Sequence, residues 1–211
     1  MKKTVILFSI LLVAIFASAQ DDYQSNEIQT IFSKNRSNGA YGALTVGYTN
    51  IDGRDAFISG ARGAFIFDHS FAIGLGGYGF VNNLNNSYYG TNPNNEMSLA
   101  GGYGGLFIEP IVAGRSPVHL SFPILIGMGG VSLVDLYSWD HWEPSDPWYD
   151  YNYDVYFVLE PAVELEFNMA RFFRTALYAS YRYTSKIDMY QIDEDVLRGF
   201  NFGATFKFGK F

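Results

Sequence analysis

Residues 155–168 read Val-Tyr-Phe-Val-Leu-Glu-Pro-Ala-Val-Glu-Leu-Glu-Phe-Asn. Val155, Phe157, Leu159, Val163, Leu165 and Phe167 share one parity, and Tyr156, Glu160, Glu164 and Glu166 the other. Successive side chains of a β-strand point to opposite faces, so this run predicts a strand with one apolar face and one bearing carboxylates. The next two runs repeat the pattern. Leu177, Ala179 and Tyr181 alternate with Arg174, Tyr178, Ser180 and Arg182, and Phe200, Phe202, Ala204, Phe206 and Phe208 alternate with Asn201, Gly203, Thr205 and Lys207.

Working towards the N-terminus from these runs gives eight strands: 41–50, 56–67, 70–81, 98–113, 118–134, 155–168, 172–184 and 199–211. They are rich in Phe, Tyr, Val and Ile, the residues that suit a pleated surface. Two closed architectures accommodate such alternation. A soluble lipocalin-type barrel turns the apolar face inward, whereas a membrane barrel turns it outward to lipid around a polar interior. The connections separate the two. Asp68-His69, residues 114–117 and residues 169–171 are tight turns, while 82–97, 135–154 and 185–198 are long and polar; only the first hairpin, around Asp52-Gly53, has no long loop. Short turns at one end and long loops at the other are the asymmetry of an outer-membrane barrel, and an even strand count leaves both termini at the turn end. The fold expected is therefore all-β, an eight-stranded antiparallel up-and-down transmembrane β-barrel. The secreted lipocalin-type ligand-binding barrel is the alternative.

Composition agrees. The chain has 211 residues, 48% of them hydrophobic and 18% aromatic but only 17% charged, which disfavours both disorder and a helical bundle. It has no cysteine, so disulfides, thiolate metal sites and cysteine nucleophiles are excluded. With a formal net charge of −7 and a pI near 4.8, no nucleic-acid partner is expected. Met1-Lys2-Lys3, the apolar run 5–16 and Ala17-Ser18-Ala19 have the order of an export signal. Residues 1–19 are thus expected to be a cleaved signal peptide, 20–39 a periplasmic segment and 40–211 the barrel. Cleavage would remove two lysines and no acid, taking the charge to −9.

The last strand carries a resemblance. Asn201, Gly203, Phe206 and Phe208, followed by a terminal Phe211, resemble the C-terminal insertion signal of Gram-negative outer-membrane barrels: a polar residue, a glycine two later, then two hydrophobic positions flanking a free one. Gly209-Lys210-Phe211 follow the motif, a departure from its usual end. The chain from residue 20 onward resembles the small outer-membrane β-barrel proteins common in Bacteroidota-type bacteria, notably at Gly60-Ala61-Arg62-Gly63, residues 71–78 and residues 122–127. This resemblance implies an outer-membrane location with loops outside and termini in the periplasm. Its implied partners are outer-membrane lipid and, during biogenesis, the barrel-assembly machinery. It implies almost nothing about activity.

Candidate chemistry is sparse. Gly74, Gly76 and Gly79 match G-x-G-x-x-G, but Phe80-Val81-Asn82-Asn83 follows instead of the helix a pyrophosphate site requires. Residues 150–154 resemble the start of a calcium loop, yet Val155 stands where glycine is needed and Pro161 where the bidentate Glu belongs. No cofactor and no metal are expected. Trp139, Trp142, Trp148 and Tyr151 lie in the acidic loop 135–154, as interfacial anchors or as a surface for an extracellular ligand or glycan. Glu160, Glu164 and Glu166 share a face with Arg174 and Arg182 on the neighbouring strand. An eight-stranded lumen is just wide enough for side chains to fill, so these five are expected to form a buried charge network. His119 and Ser121 share a strand face, the one pairing that suggests a nucleophile, but no acidic orienter is evident in sequence. The function expected is a non-enzymatic barrel with surface-exposed loops in a structural or interaction role. A narrow, porin-like channel is the alternative.

Three prolines resist the pattern. Pro110, Pro123 and Pro161 fall inside strand runs, where a residue without an N–H is expected to bring bulges or missing ladder bonds. Glycines crowd strands three to five, where they are expected to leave room for Tyr78 and Tyr103 to pack close.

Overall fold

The computed structural model describes residues 38–82, 88–89, 96–134, 153–189 and 192–211. The expected signal peptide and most of the 20–39 segment lie outside the described residues, as do Trp139, Trp142, Trp148 and Tyr151. The described residues form ten β-strands: β1 (Asn38–Ile51), β2 (Arg54–Phe67), β3 (Phe71–Asn82), β4 (Tyr88–Tyr89), β5 (Glu96–Val112), β6 (Val118–Ser121), β7 (Ile124–Val134), β8 (Tyr153–Ala170), β9 (Phe173–Thr184) and β10 (Gly199–Lys210). β4 is a two-residue extension against the start of β5, and β6 and β7 are one wall interrupted at Phe122-Pro123. Eight walls remain. Each pairs antiparallel with its sequence neighbour, and β1 pairs β10 from Ala40↔Lys210 to Thr49↔Asn201, which closes the ring. Full closure leaves no edge strand, a requirement for any sheet standing in hydrocarbon.

The outer wall is apolar. Phe57, Phe65, Leu75, Met128, Val155, Phe157, Leu177 and Phe200 are all more than half exposed. Phe202, Phe206 and Leu177, which a soluble barrel would gather at its centre, lie outside at 52%, 37% and 60% exposure. The opposite parity is buried and includes Arg62, Glu109, Glu164, Arg182 and Lys207. The lipocalin-type alternative is thereby excluded.

Local geometry follows the sequence. Asp52 and Gly53 join β1 to β2 with φ of 58° and 68°, and Asp68 and His69 join β2 to β3 with 50° and 55°. Two successive positive φ angles give the turn whose twist matches a hairpin, and Asp-Gly is its preferred sequence. The strands that flank the long connections end on the side opposite residues 68–70, 113–117 and 171–172, giving a loop end and a turn end.

Of the two effects expected at the prolines, missing ladder bonds are found at Pro123 and Pro161 and bulges are not. Pro123 ends the pairing of β6 and begins that of β7. Both segments nonetheless keep one register with β8, from Val118↔Phe167 and Ser121↔Glu164 to Ile124↔Pro161. Bonds are lost without a bulge: β8 also leaves its β9 pairing at Glu160 and Pro161 and resumes it unshifted at Ala162↔Ser180. The register shift in that ladder lies instead between Asn168 and Ala170, beside the turn. Inward-facing glycines border rings. A Cβ on Gly60 would collide with the Tyr78 ring, and one on Gly47 or Gly203 would meet Tyr178.

Candidate functional site: a charge cage and a capped mouth

Inside the turn-end half of the barrel, six charged side chains form one cluster. Lys207, on β10, is fully buried. Its Nζ donates to Glu166 Oε1 at 2.6 Å, lies 2.8 Å from Glu164 Oε2 and also contacts Glu109 Oε1. An ammonium has three N–H donors, and here three carboxylates surround it. Arg62 Nη2 donates to Glu164 Oε2 at 2.7 Å and lies 3.9 Å from Glu109 Oε1, with its guanidinium carbon 4.5 Å from the centre of the Phe107 ring. Arg174 Nη1 lies 3.6 Å from Glu166 Oε2. The Tyr41 hydroxyl donates to Glu109, and Ser121 Oγ donates to Glu164 at 3.3 Å. Three cations thus face three anions. A buried charge stripped of its partner costs several kcal/mol, so this balance is what makes the cluster tolerable in a low-dielectric interior.

Glu109, Glu164 and Glu166 offer oxygens within 4.8 Å of one another, a spacing that metal ions use. The ammonium of Lys207 takes that central position, so the triad reads as an ion-pair cage and not as a metal centre.

The loop-end half is built differently. Ile51, Ile58, Phe80, Leu99, Leu125, Val131, Tyr156 and Val158 pack there with Ile187, Met189, Val196 and Leu197 from the β9–β10 connection. That connection folds back over the mouth. Its backbone is tied by Ile187 N–H to the Glu194 carbonyl at 2.9 Å, and two arginines pin it to the wall: Arg182 Nε donates to the Leu197 carbonyl at 2.6 Å and Arg198 Nε to that of Thr184 at 3.0 Å. Between the halves, Glu160 accepts from Ser180 Oγ at 2.5 Å, from Asn201 Nδ2 at 2.9 Å and from the Tyr103 hydroxyl.

The five residues anticipated as a lumen network are all enclosed, but they divide. Glu164, Glu166 and Arg174 belong to the cage. Glu160 is satisfied by neutral donors. Among the described residues Arg182 meets no carboxylate and its terminal nitrogens have no hydrogen-bond partner; its guanidinium carbon lies 5.0 Å from the Phe80 ring centre and 5.7 Å from that of Tyr103. Sequence reasoning missed Arg62, Glu109 and Lys207. For Arg62 and Lys207 a signal was available, because a lone charge in an otherwise apolar wall strand marks the inward parity.

His119 does have an acidic neighbour, contrary to the sequence reading. Glu166 stands directly opposite it on β8, with its Oε2 3.1 Å from His119 Nε2. Ser121, however, donates to Glu164, and both residues are buried, at 4% and 0% exposure. They form part of the cage's packing, and no hydroxyl is presented to a substrate.

The residues of the terminal motif fall on both faces. Asn201 points inward to Glu160 and Ser180, Gly203 abuts Tyr178, and Phe206 and Phe208 face outward. Phe211 turns back under the lumen, its ring 6.0 Å from that of Tyr41 and 3.9 Å from the Arg174 guanidinium carbon.

No protein-family profile matches the chain, and no curated protein does. Among solved structures it is similar to Neisserial surface protein A, with a TM-score of 0.54 and 11% identity, covering 84% of this chain and 100% of that one. Ail, the attachment invasion locus protein of Yersinia pestis, solved in complex with the heparin analogue sucrose octasulfate, matches at 13% identity over 81% of this chain and 97% of that one, with a TM-score of 0.40. The Yersinia pestis outer membrane protein Ail in a phospholipid bilayer nanodisc matches at 12% identity and a TM-score of 0.39, over 80% and 99%. At such identities the likeness to the Neisserial protein is one of fold.

Proposed function

We propose that the chain is an outer-membrane protein of non-enzymatic function, a filled barrel that holds its loop end at the cell surface for structural or recognition work. The observation that carries this reading is the division of chemistry between the faces. Apolar and aromatic side chains cover the outer wall, and the described lumen encloses Arg62, Arg174, Arg182 and Lys207 with an equal number of glutamates, Glu109, Glu160, Glu164 and Glu166. The wall suits acyl chains, and the occupied lumen does not suit a solute. Membrane fractionation with heat-modifiable gel mobility tests the location: the protein should sediment with outer membranes and migrate faster unheated than boiled. Recovery in the aqueous fraction without detergent would refute it.

A narrow channel is the competing reading. The cage and the apolar mouth block the axis in series, so planar-bilayer recordings should be free of conductance steps; reproducible unitary steps would favour the channel instead. Recognition is assigned to the 135–154 loop for its three tryptophans and acidic residues. Deleting 139–152 should spare folding and abolish binding to cells or glycans, and unaltered binding would remove that assignment.

A further inference from the structure

At the turn end, β9 and β10 carry a juxtaposition that the barrel itself does not require. Phe173 and Phe208 face each other across the ladder and stack, with ring centres 4.8 Å apart. One step further the Gly209 N–H donates to the Phe172 carbonyl at 2.9 Å, which carries the pairing into the β8–β9 turn. That bond is flanked by Arg171, in the turn, and by Lys210, the residue after Gly209, both exposed. Among the described residues neither has a carboxylate partner, whereas the other exposed arginine of this rim, Arg115, lies 4.0 Å from Asp68. The two cations adjoin the outward aromatics Phe172 and Phe208, at 65% and 48% exposure. Two adjacent positive charges beside rings that suit the glycerol and upper acyl region describe one complementary ligand, the phosphate of a lipid headgroup.

We propose that Arg171 and Lys210 form a binding site for the phosphate of an anionic phospholipid in the leaflet at the turn end, with the Phe173–Phe208 stack and Phe172 against its acyl region. The site rests on the membrane reading above and adds to it a specific lipid contact. A basic side chain near an anionic surface contributes enough that losing one should lower lipid retention about fivefold and losing both about thirtyfold. Neutralising two exposed side chains should not impair folding.

The test is native mass spectrometry of the refolded full chain with phosphatidylglycerol, comparing the unaltered protein, Arg171→Gln/Lys210→Gln, the charge-keeping Arg171→Lys/Lys210→Arg, and Lys186→Gln at the loop end as control. The expected result is retained phosphatidylglycerol in the unaltered, charge-keeping and control proteins and its loss in the neutralised one. Equal retention by the neutralised variant, with its heat-modifiable form intact, would overturn the site and leave the membrane reading standing. Displacement of the lipid by excess inorganic phosphate would show a bare anion site and also overturn the lipid assignment. A chain that never acquires the heat-modifiable form fails the membrane reading, and the site falls with it.

Discussion

The two halves of the lumen solve the same packing problem with opposite chemistry. The turn-end half is filled by ions that satisfy one another, and the loop-end half by hydrocarbon, partly supplied by a connection that folds back to become core. The difference teaches that a barrel interior need be neither a pore nor a uniform polar core; its filling need only be neutral and hydrogen-bonded where it is charged. It also predicts two kinds of failure. An ionic half fails abruptly when one partner is lost, because the survivors stay charged. An apolar half loses contacts in proportion to what is removed.

The largest effect is expected from Lys207→Met. It leaves three carboxylates facing two guanidinium groups and should cost about 3–5 kcal/mol, read as a lowered urea midpoint for the refolded protein. Adding Glu109→Gln restores the charge balance and should recover part of that loss; a double variant no better than the single would contradict the balance argument. In the other half, Leu197→Ala should cost about 2–3 kcal/mol as a cavity in a fully buried site, with no rescue by any neighbouring charge change. Glycine substitutions give a finer comparison. On Gly203 an added methyl would lie 2.6 Å from the Gly47 Cα and 2.8 Å from the Tyr178 ring, whereas on Gly130 its nearest neighbour, the Asp154 carbonyl oxygen, is 3.8 Å away. Gly203→Ala should cost about 1–3 kcal/mol and Gly130→Ala within about 0.5 kcal/mol of nothing, measured by refolding in detergent. The smallest effect concerns His69, in the β2–β3 turn. Partial burial, and then the Arg115 guanidinium, lower its pKa below the ordinary 6.5. Its NMR titration midpoint should therefore fall below that of a free histidine and rise towards it in Arg115→Gln. The folded state binds this proton less readily than the unfolded chain, so any contribution to stability is present above pH 6.5 and fades on acidification below it.

The walls were legible because alternation reports a face directly. The eight runs expected from parity coincide with the observed walls to within a few residues at most ends, and β1 begins at Asn38, three residues before the expected Tyr41. What parity does not report is height along the axis. Arg182 and Glu160 share the inward face, but Arg182 rises beside Phe80 and Leu197 while Glu160 stays with Ser180 and Asn201. Glu109 was hidden for another reason: β5 is so rich in glycine that neither of its faces reads as polar or apolar. The cap was invisible in principle. Residues 185–198 are polar enough to read as an exposed loop, and only the fold reveals that Ile187, Met189, Val196 and Leu197 turn inward together.

The two ends differ as sharply as the two halves. The described loop-end rim carries Asp52, Asp55, Asp154, Asp188, Asp193, Glu194 and Asp195 against Arg54, Lys186 and Arg198, while the turn end carries Arg115, Arg171 and Lys210 against Asp68. Among the described residues the lumen charges balance in number, the loop-end rim is net negative and the turn end is net positive.

Lys207 belongs to the final strand, and its three carboxylate partners belong to β5 and β8. Without β10 the described lumen holds Glu109, Glu160, Glu164 and Glu166 against Arg62, Arg174 and Arg182, one negative charge in excess. The strand that closes the ring on β1 also carries the ammonium that balances it, so sealing the cylinder and discharging its inside fall to one segment.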